Sequence, residues 1–396
     1  EQVCIEVDGE RFVAAAAGEH HTLVVTQYGD VKAFGRGREG QLGHSEGSRL
    51  DTDVPGKVEG LSGVTVVAVA CGAFHSLAVT SSGRLYEWGL IHTEPDAVAE
   101  QSVTDRELLA LTGPSQLHNN PDLHLSRVAA DSARRWLTAE DAEPGDDYMS
   151  GEEENEDDGE QVLMQRLMMG RLPTRGRHAV PRLVVSLQEM RVTSVSAGYS
   201  HSVAVTDQGR AFSSGQNDRG QLGLGHRIHS GSFREVVGMG GRFILEVACG
   251  EQHNLARALP SRKSLSNDQQ AELYVWGGGR LGQLGLGAAS TRLTPTHNPF
   301  LSNVGGGVVS VSAGANHSVC AVASGWVMSW GHAEYNQQGV AVVAGADLMG
   351  DGSGHGHGYF RVPRVVSGLV GRHVVSVHCG SNYTLAVDRA SVTHRY

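Results

Sequence analysis

Val195-Ser196-Ala197-Gly198-Tyr199-Ser200-His201-Ser202-Val203-Ala204-Val205-Thr206 is a phrase that this chain says seven times. It is followed by Gln208-Gly209, a short run, and then Gly220-Gln221-Leu222-Gly223. Related versions begin at Ala17-Gly18, Cys71-Gly72, Ala130-Asp131, Cys249-Gly250, Ala313-Gly314 and Cys379-Gly380, at intervals of 52 to 67 residues. Self-similarity at such a period marks an array of structural units, not a chain of unrelated domains.

Each unit reads as strands. Val192–Ala197 alternates apolar and small residues, the period of a half-buried strand, and His201–Thr206 alternates again. Gln208-Gly209 is a hairpin turn, matched by Gln27-Tyr28-Gly29, Ser81-Ser82-Gly83 and Ala323-Ser324-Gly325. The next strand closes on an aromatic and a glycine: Phe34-Gly35, Trp88-Gly89, Trp276-Gly277 and Trp330-Gly331. A large ring there can fill the wedge between neighbouring sheets. Val54-Pro55, Val180-Pro181 and Val362-Pro363 read as Pro-led strands that open the next unit. Four antiparallel strands make one blade, and a blade cannot bury both faces alone. The expected fold is therefore all-β, a seven-bladed propeller forming one domain. Its blades are expected at about 3–53, 54–113, 114–179, 180–232, 233–295, 296–361 and 362–396.

The third repeat is worn, with Asp131 in the glycine place and Arg134 in the histidine place. An acidic loop is attached to it. Residues 140–160 hold twelve carboxylates and no Lys or Arg, and removing them takes the net charge from −11 to +1. Such a run is ordinarily a solvated insertion, but Glu152, Glu153 and Glu154 within it are candidates for contact with a basic partner. A near-neutral body lacks the electrostatic footprint of a nucleic-acid binder. No apolar run is long enough to span a membrane. Three of the five cysteines, Cys71, Cys249 and Cys379, share one repeat position that alanine fills elsewhere. They read as small buried thiols of an intracellular protein, cytoplasmic or nuclear.

The order Ala-Gly-x-x-His-Ser, hairpin Gly, Trp-Gly and Gly-Gln-Leu-Gly resembles the regulator of chromosome condensation repeat. The resemblance covers nearly the whole chain. It implies a seven-bladed propeller, and for function it implies several things, because that fold serves unlike tasks. The founding member is a chromatin-bound nucleotide exchange factor for the GTPase Ran; relatives include a plant ultraviolet-B receptor and adaptor domains of ubiquitin ligases. The family reads partners with loops on one face: the two residues between Gly and His, and the turn before Gly-Gln-Leu-Gly. The first set here is Glu19-His20, Ala73-Phe74, Ser132-Ala133, Tyr199-Ser200, Glu251-Gln252, Ala315-Asn316 and Ser381-Asn382. In the second set Asp218 fits the family's acidic turn. The chain shows no basic N-terminal arm, and its Trp88, Trp136, Trp276, Trp326 and Trp330 fall mostly at blade-core positions, which does not fit photoreception.

The expected function is a protein–protein interaction module binding through one rim. The alternative is guanine nucleotide exchange on a Ran-like small GTPase through Glu19, His20, Asp218 and Glu251. A monomer without cofactor or metal is expected. Gly35-Arg36-Gly37-Arg38-Glu39-Gly40 matches a dinucleotide fingerprint but leads to a turn, not a helix. Gly43-His44-Ser45-Glu46-Gly47 matches a nucleophile elbow outside the strand–turn–helix that chemistry needs. His21, His75, His201, His253 and His317 share one repeat position, in different blades, too far apart to hold one ion. Bonding to backbone groups is their expected role. With Gly18, Gly72, Gly198, Gly250, Gly314 and the tryptophans Trp88, Trp276 and Trp330, they form the expected structural set. The stretch from Gly354 to Gly358, with His355 and His357, is expected to be a loop.

Overall fold

The computed structural model describes residues 5–7, 10–45, 50–93, 174–266, 269–302, 304–339, 349–350, 358–389 and 393–395. They form six antiparallel sheets, here A to F. Sheet A holds β1 (Ile5–Val7), β2 (Glu10–Ala17), β3 (His21–Thr26), β4 (Val31–Gly35) and β5 (Thr52–Lys57). Sheet B holds β6 (Val66–Cys71), β7 (His75–Thr80), β8 (Leu85–Thr93) and β9 (Thr174–Leu183). Sheet C holds β10 (Val192–Ala197), β11 (His201–Thr206), β12 (Ala211–Gly215) and β13 (Ser230–Glu235). Sheet D holds β14 (Phe243–Cys249), β15 (His253–Leu259), β16 (Glu272–Gly277) and β17 (Arg292–His297). Sheet E holds β18 (Val308–Ala313), β19 (His317–Val322), β20 (Val327–His332), β21 (Met349–Gly350) and β22 (Gly358–Val365). Sheet F holds β23 (Val374–Cys379), β24 (Thr384–Asp388) and β25 (Thr393–Arg395).

The all-β propeller read from the repeats is the fold of this chain. Its strand phase differs from the reading by one. The Pro-led strands do not open the next blade. β5, β9 and β22 pair with β4, β8 and β20, so each closes the sheet that precedes it. At β5 the reason is the Gly-Gln-Leu-Gly loop, which returns the chain antiparallel along the strand it has just left. Of the run Val3–Val7, left open between the first and last blade, Ile5–Val7 joins sheet A, with Ile5 opposite Phe12. The last residues supply the third strand of sheet F, with Leu385 opposite Arg395.

Sheets B and C are direct neighbours, β10 lying against β6 and β7. The chain leaves sheet B after Thr93 and returns to it at Thr174. The worn third repeat and the acidic run with Glu152, Glu153 and Glu154 lie outside the described residues, as do Gly354 and its two histidines.

Sheets pack through their inner strands, and an apolar cluster fills each of the five seams from A to F. Between A and B, Leu23, Val25, Leu42 and Val58 meet Val66, Cys71, Ala78 and Trp88. Every first pair of strands carries a one-residue register shift near its start, as at Val66/Ala68 and Val192/Ser194. Such shifts sharpen the twist that lets sheets fan around an axis.

A polar ladder crosses the same seams. His21 Nε2 lies 2.7 Å from Ser76 Oγ, His75 from Ser202 at 2.8 Å, and His253 from Ser318 at 2.8 Å. His201 reaches Asn254 Oδ1 at 2.8 Å, and His317 reaches Thr384 Oγ1 at 3.0 Å. These partners are side chains of the next blade, not the backbone groups expected. Ser76, Ser318 and Thr384 donate their hydroxyl hydrogens onward to the carbonyls of Gln41, Gln283 and Gln337. A carbonyl only accepts, so the hydroxyl accepts from the imidazole, which must carry its proton on Nε2.

The repeated glutamine has two jobs. Its side-chain oxygen accepts an N–H from its own turn: Glu39 to Gln41, Arg219 to Gln221, Leu281 to Gln283 and Tyr335 to Gln337. Its main-chain carbonyl is gripped by the next blade's tryptophan. Trp88 donates to Gln41 at 2.8 Å, Trp276 to Gln221 at 3.0 Å and Trp330 to Gln283 at 2.8 Å. The sequence that follows sheet B carries no Gly-Gln-Leu-Gly, and in the next sheet Ser214, opposite Ser202, holds the tryptophan register. Trp276→Phe is expected to cost about 1–2 kcal/mol, since the ring stays and one buried bond goes. Urea unfolding checks this, and equal midpoints for the two proteins would remove the N–H from the account.

Candidate functional site

The glycine-to-histidine loops form a collar around the axis. The loops of sheets B to F are joined in sequence by main-chain bonds: Ala73 N–H to Tyr199 O at 3.3 Å, Tyr199 to Glu251 at 3.3 Å, Glu251 to Ala315 at 3.1 Å, and Ala315 to Ser381 at 3.0 Å. The axial glycines allow this approach. A Cβ on Gly250 would lie 2.2 Å from His253 Cε1 and 2.6 Å from Gly314 O. The His ladder passes from repeat two directly to repeat four.

The turns before Gly-Gln-Leu-Gly rise on the same side. Each starts with an N–H bonded to a collar carbonyl: Arg36 to His20 at 2.8 Å, Gln216 to Ser200 at 2.8 Å, Gly278 to Gln252 at 2.7 Å and His332 to Asn316 at 2.9 Å. Asn217 braces its turn by donating to His226 O and Ile228 O while accepting from Leu222 N. That leaves the Asp218 side chain at the apex, 47% exposed, with His229 Nε2 3.4 Å away.

Four of the candidate residues thus share one face. Glu19 and His20 lie side by side in the sheet A loop, 3.7 Å apart. Glu251 accepts from Asn316 at 3.2 Å. Asp218 stands on a turn anchored at Ser200. Gly18, Gly72, Gly198, Gly250 and Gly314, with their histidines, form the frame beneath, and Trp88, Trp276 and Trp330 are fully buried. Trp326 is not a core residue; it is 43% exposed.

Several face residues were not selected from sequence. Phe74 meets Tyr199 edge-on at 5.4 Å between ring centres and lies 6.3 Å from the His20 ring, and the Arg36 guanidinium stacks over it at 5.7 Å. The step His20–Phe74–Tyr199 crosses three blades. Glu334, Arg38 and Arg280 hold the Asp218 place in their own turns, three residues before the repeated glutamine. That fixed offset was the signal that could have found them.

Covalent chemistry has little to work with among the described residues. No three His, Cys, Asp or Glu converge to hold a metal ion. Burial pushes the thiols of Cys71, Cys249 and Cys320 up to about 12, so they stay protonated. Glu87 is buried and its carboxyl is raised by desolvation, opposed by Arg182 at 3.0 Å. Among the described residues no helix is long and apolar enough to cross a membrane.

Fold and face together define a repeat propeller whose exposed chemistry sits on axial and turn loops. The model of the Regulator of chromosome condensation (RCC1) repeat matches residues 28–79, 208–257 and 270–321, and a second one of the same description matches 192–221. The chain belongs to the regulator of chromosome condensation repeat family. The ultraviolet-B receptor UVR8 of Arabidopsis thaliana is 27% identical over 84% of this chain and 68% of its own length. The human E3 ubiquitin-protein ligase HERC2 is 26% identical over 94% of this chain, which spans only 6% of that ligase. Prp20p from Saccharomyces cerevisiae superposes with a TM-score of 0.65 at 17% identity, covering 98% of this chain and 72% of its own. Human WBSCR16 gives 0.63 at 18% identity, covering 99% and 78%. At these identities the two structures show the fold.

Proposed function

We propose that the chain is a protein-binding propeller whose working face is the collar with its adjoining turns. The observation that carries this reading is the main-chain bonding of one collar loop to the next. It holds Tyr199 and Glu251, with the loop of Phe74, in fixed relation without occupying their side chains fully. Preorganised aromatic and charged groups are what a partner can bind without first ordering a loop. The relatives support the reading in a general way: a photoreceptor, a ubiquitin ligase and Prp20p, whose structure is described together with its binding to Gsp1p and histones, share this scaffold.

Tyr199→Ala combined with Glu251→Ala is expected to weaken partner binding about tenfold or more while leaving the fold intact. Crosslinking and mass spectrometry of proteins bound to the two forms tests it. Identical partner sets at identical yield would sink the assignment to this face.

One observation favours the narrower alternative of nucleotide exchange on a Ran-like GTPase: Asp218 is exposed on the same side as Glu19, His20 and Glu251. Exchange would need no covalent step, only tighter binding of the nucleotide-free GTPase than of the loaded form. Release of a fluorescent GDP analogue from Ran, with and without the protein, decides it. Acceleration lost in Asp218→Ala supports exchange. No acceleration at micromolar protein leaves binding without nucleotide dependence.

A further inference from the structure

The opposite ends of the sheets carry the hairpin turns, and that of sheet E breaks the pattern of sheets A to D. The residue after the hairpin glycine is charged in sheets A, B and C: Asp30, Arg84 and Arg210. Glu272 holds that register in sheet D. Three of these are ion-paired. Asp30 meets Lys57 at 3.0 Å, Arg210 forks onto Glu235, and Glu272 meets Arg242 at 3.2 Å. In sheet E the same place holds Trp326.

Its outer-strand neighbour has changed too. Val365 pairs with Met328 as Lys57 pairs with Lys32 and Glu235 with Phe212. A charged pair has thus become Trp and Val. The chain beyond Val365 folds around the turn, with Val366 N–H bonded to Val327 O at 2.9 Å and Val374 N–H to Gly325 O at 3.3 Å. That loop exposes Val370 by 57%. The exposed charged residues of this loop and its neighbour are cationic. Arg372 is exposed; its buried partner Asp388 is 4.0 Å away, and Arg389, tied by its N–H to His373 O, is exposed beside them.

Exposed tryptophan is uncommon on a monomer surface, whereas Trp and Arg dominate the energetics of interfaces. A cation rim around an apolar centre complements negative charge around an apolar side chain. We propose that the hairpin end of sheet E is a second docking site, for an acidic segment of a partner protein that inserts a large apolar side chain against Trp326 and Val370. It lies at the other end of the strands from the collar, so the two sites stand or fall separately.

The test uses labelled synthetic peptides: glutamates flanking two phenylalanines, the same peptide with lysines for glutamates, and the glutamate peptide without phenylalanine. The first is expected to bind, to shift tryptophan emission to the blue, and to weaken about tenfold in Trp326→Asp. Trp326 is 43% exposed, so the variant is expected to fold, and its thermal unfolding checks this. Arg389→Glu is expected to weaken binding about threefold or more and to lessen its salt dependence. Equal binding of the lysine peptide, or of the peptide without phenylalanine, would overturn the proposal, as would no binding at millimolar peptide. Binding at least tenfold tighter to protein lacking residues 140–160 would show that the chain's own acidic run fills the site, and would also overturn it. Tighter capture by anionic vesicles than by peptide would reassign the site to membrane.

Discussion

At pH 5.5 the protein is expected to have lost about 5–7 kcal/mol of the folding stability that it has at pH 7.5. Five ladder histidines carry this effect. Burial, the largest cause in each case, lowers His21, His201 and His317 to about 4, and His75 and His253 to about 3, from an ordinary 6.5. Neighbouring imidazoles on the ladder add to the lowering at His75 and His253. The geometry gives the reason. Nε2 already holds a proton and donates it across the seam, and the buried Nδ1 atoms of His21, His201, His253 and His317 face no acceptor. A second proton would enter the core without a partner.

The sign follows from linkage. Below pH 6.5 the unfolded chain takes up protons that the folded chain refuses, so acid favours unfolding. The histidine contribution is whole above pH 6.5, falls as pH drops, and levels off between about 4 and 3, where the folded groups titrate. Each histidine contributes about 1.4 kcal/mol per pH unit at full slope. Against a typical domain stability of about 5–15 kcal/mol, that loss is enough to unfold the propeller well above the carboxylate range. Urea midpoints at the two pH values measure it. Midpoints that coincide would mean that the buried imidazoles accept protons in place. Substituting one ladder histidine by glutamine should remove one proton's worth of the slope, whatever it does to stability at pH 7.5.

The second large effect is expected at the axis. Gly250→Ala should cost at least about 3 kcal/mol and prevent folding in a marginal background. Its Cβ would meet two atoms that cannot both retreat. One is the His253 ring, held by Ser318; the other is the Gly314 carbonyl of the next blade. Shifting either opens a seam, because packed interiors do not absorb an atom without strain. Gly368→Ala is the control, with nothing within 4 Å of the added atom. Thermal unfolding of both variants checks this. Similar melting temperatures would show that the axial approach is soft. Neighbouring axial glycines, Gly72 and Gly198, should behave as Gly250 does, since each lies against its own histidine and the next loop's carbonyl.

Some of this molecule is legible in a single repeat. The alternation of His201–Thr206, the hairpin glycine and the aromatic-glycine end are local signals with a fixed period, and they name strands, turns and fold. Gly18 and its counterparts, the five histidines and three of the tryptophans were recognised as frame from repetition alone. Glu19, His20, Asp218 and Glu251 were picked out by their offsets within the repeat, and the structure brings them to one side. Glu152, Glu153 and Glu154 lie beyond what the structure describes.

What repetition could not say is what touches what. Each ladder bond joins residues 53 to 127 apart in the chain, and its partner is a side chain of a different repeat. Local periodicity carries no information about such pairs, so the partner of each histidine and the grip on each glutamine carbonyl came only with the tertiary structure. The same holds for strand phase, because a Pro-led strand looks alike whether it closes one sheet or opens another; only the antiparallel return of the chain through the turn decides. Trp326 shows the limit most plainly. Its residue type alone suggests core, but it follows the hairpin glycine and its ring is half-exposed. Sequence determined the repeated unit, through backbone and burial preferences that act over a few residues. The packing of one unit on the next decided which of its side chains are frame and which remain free to bind.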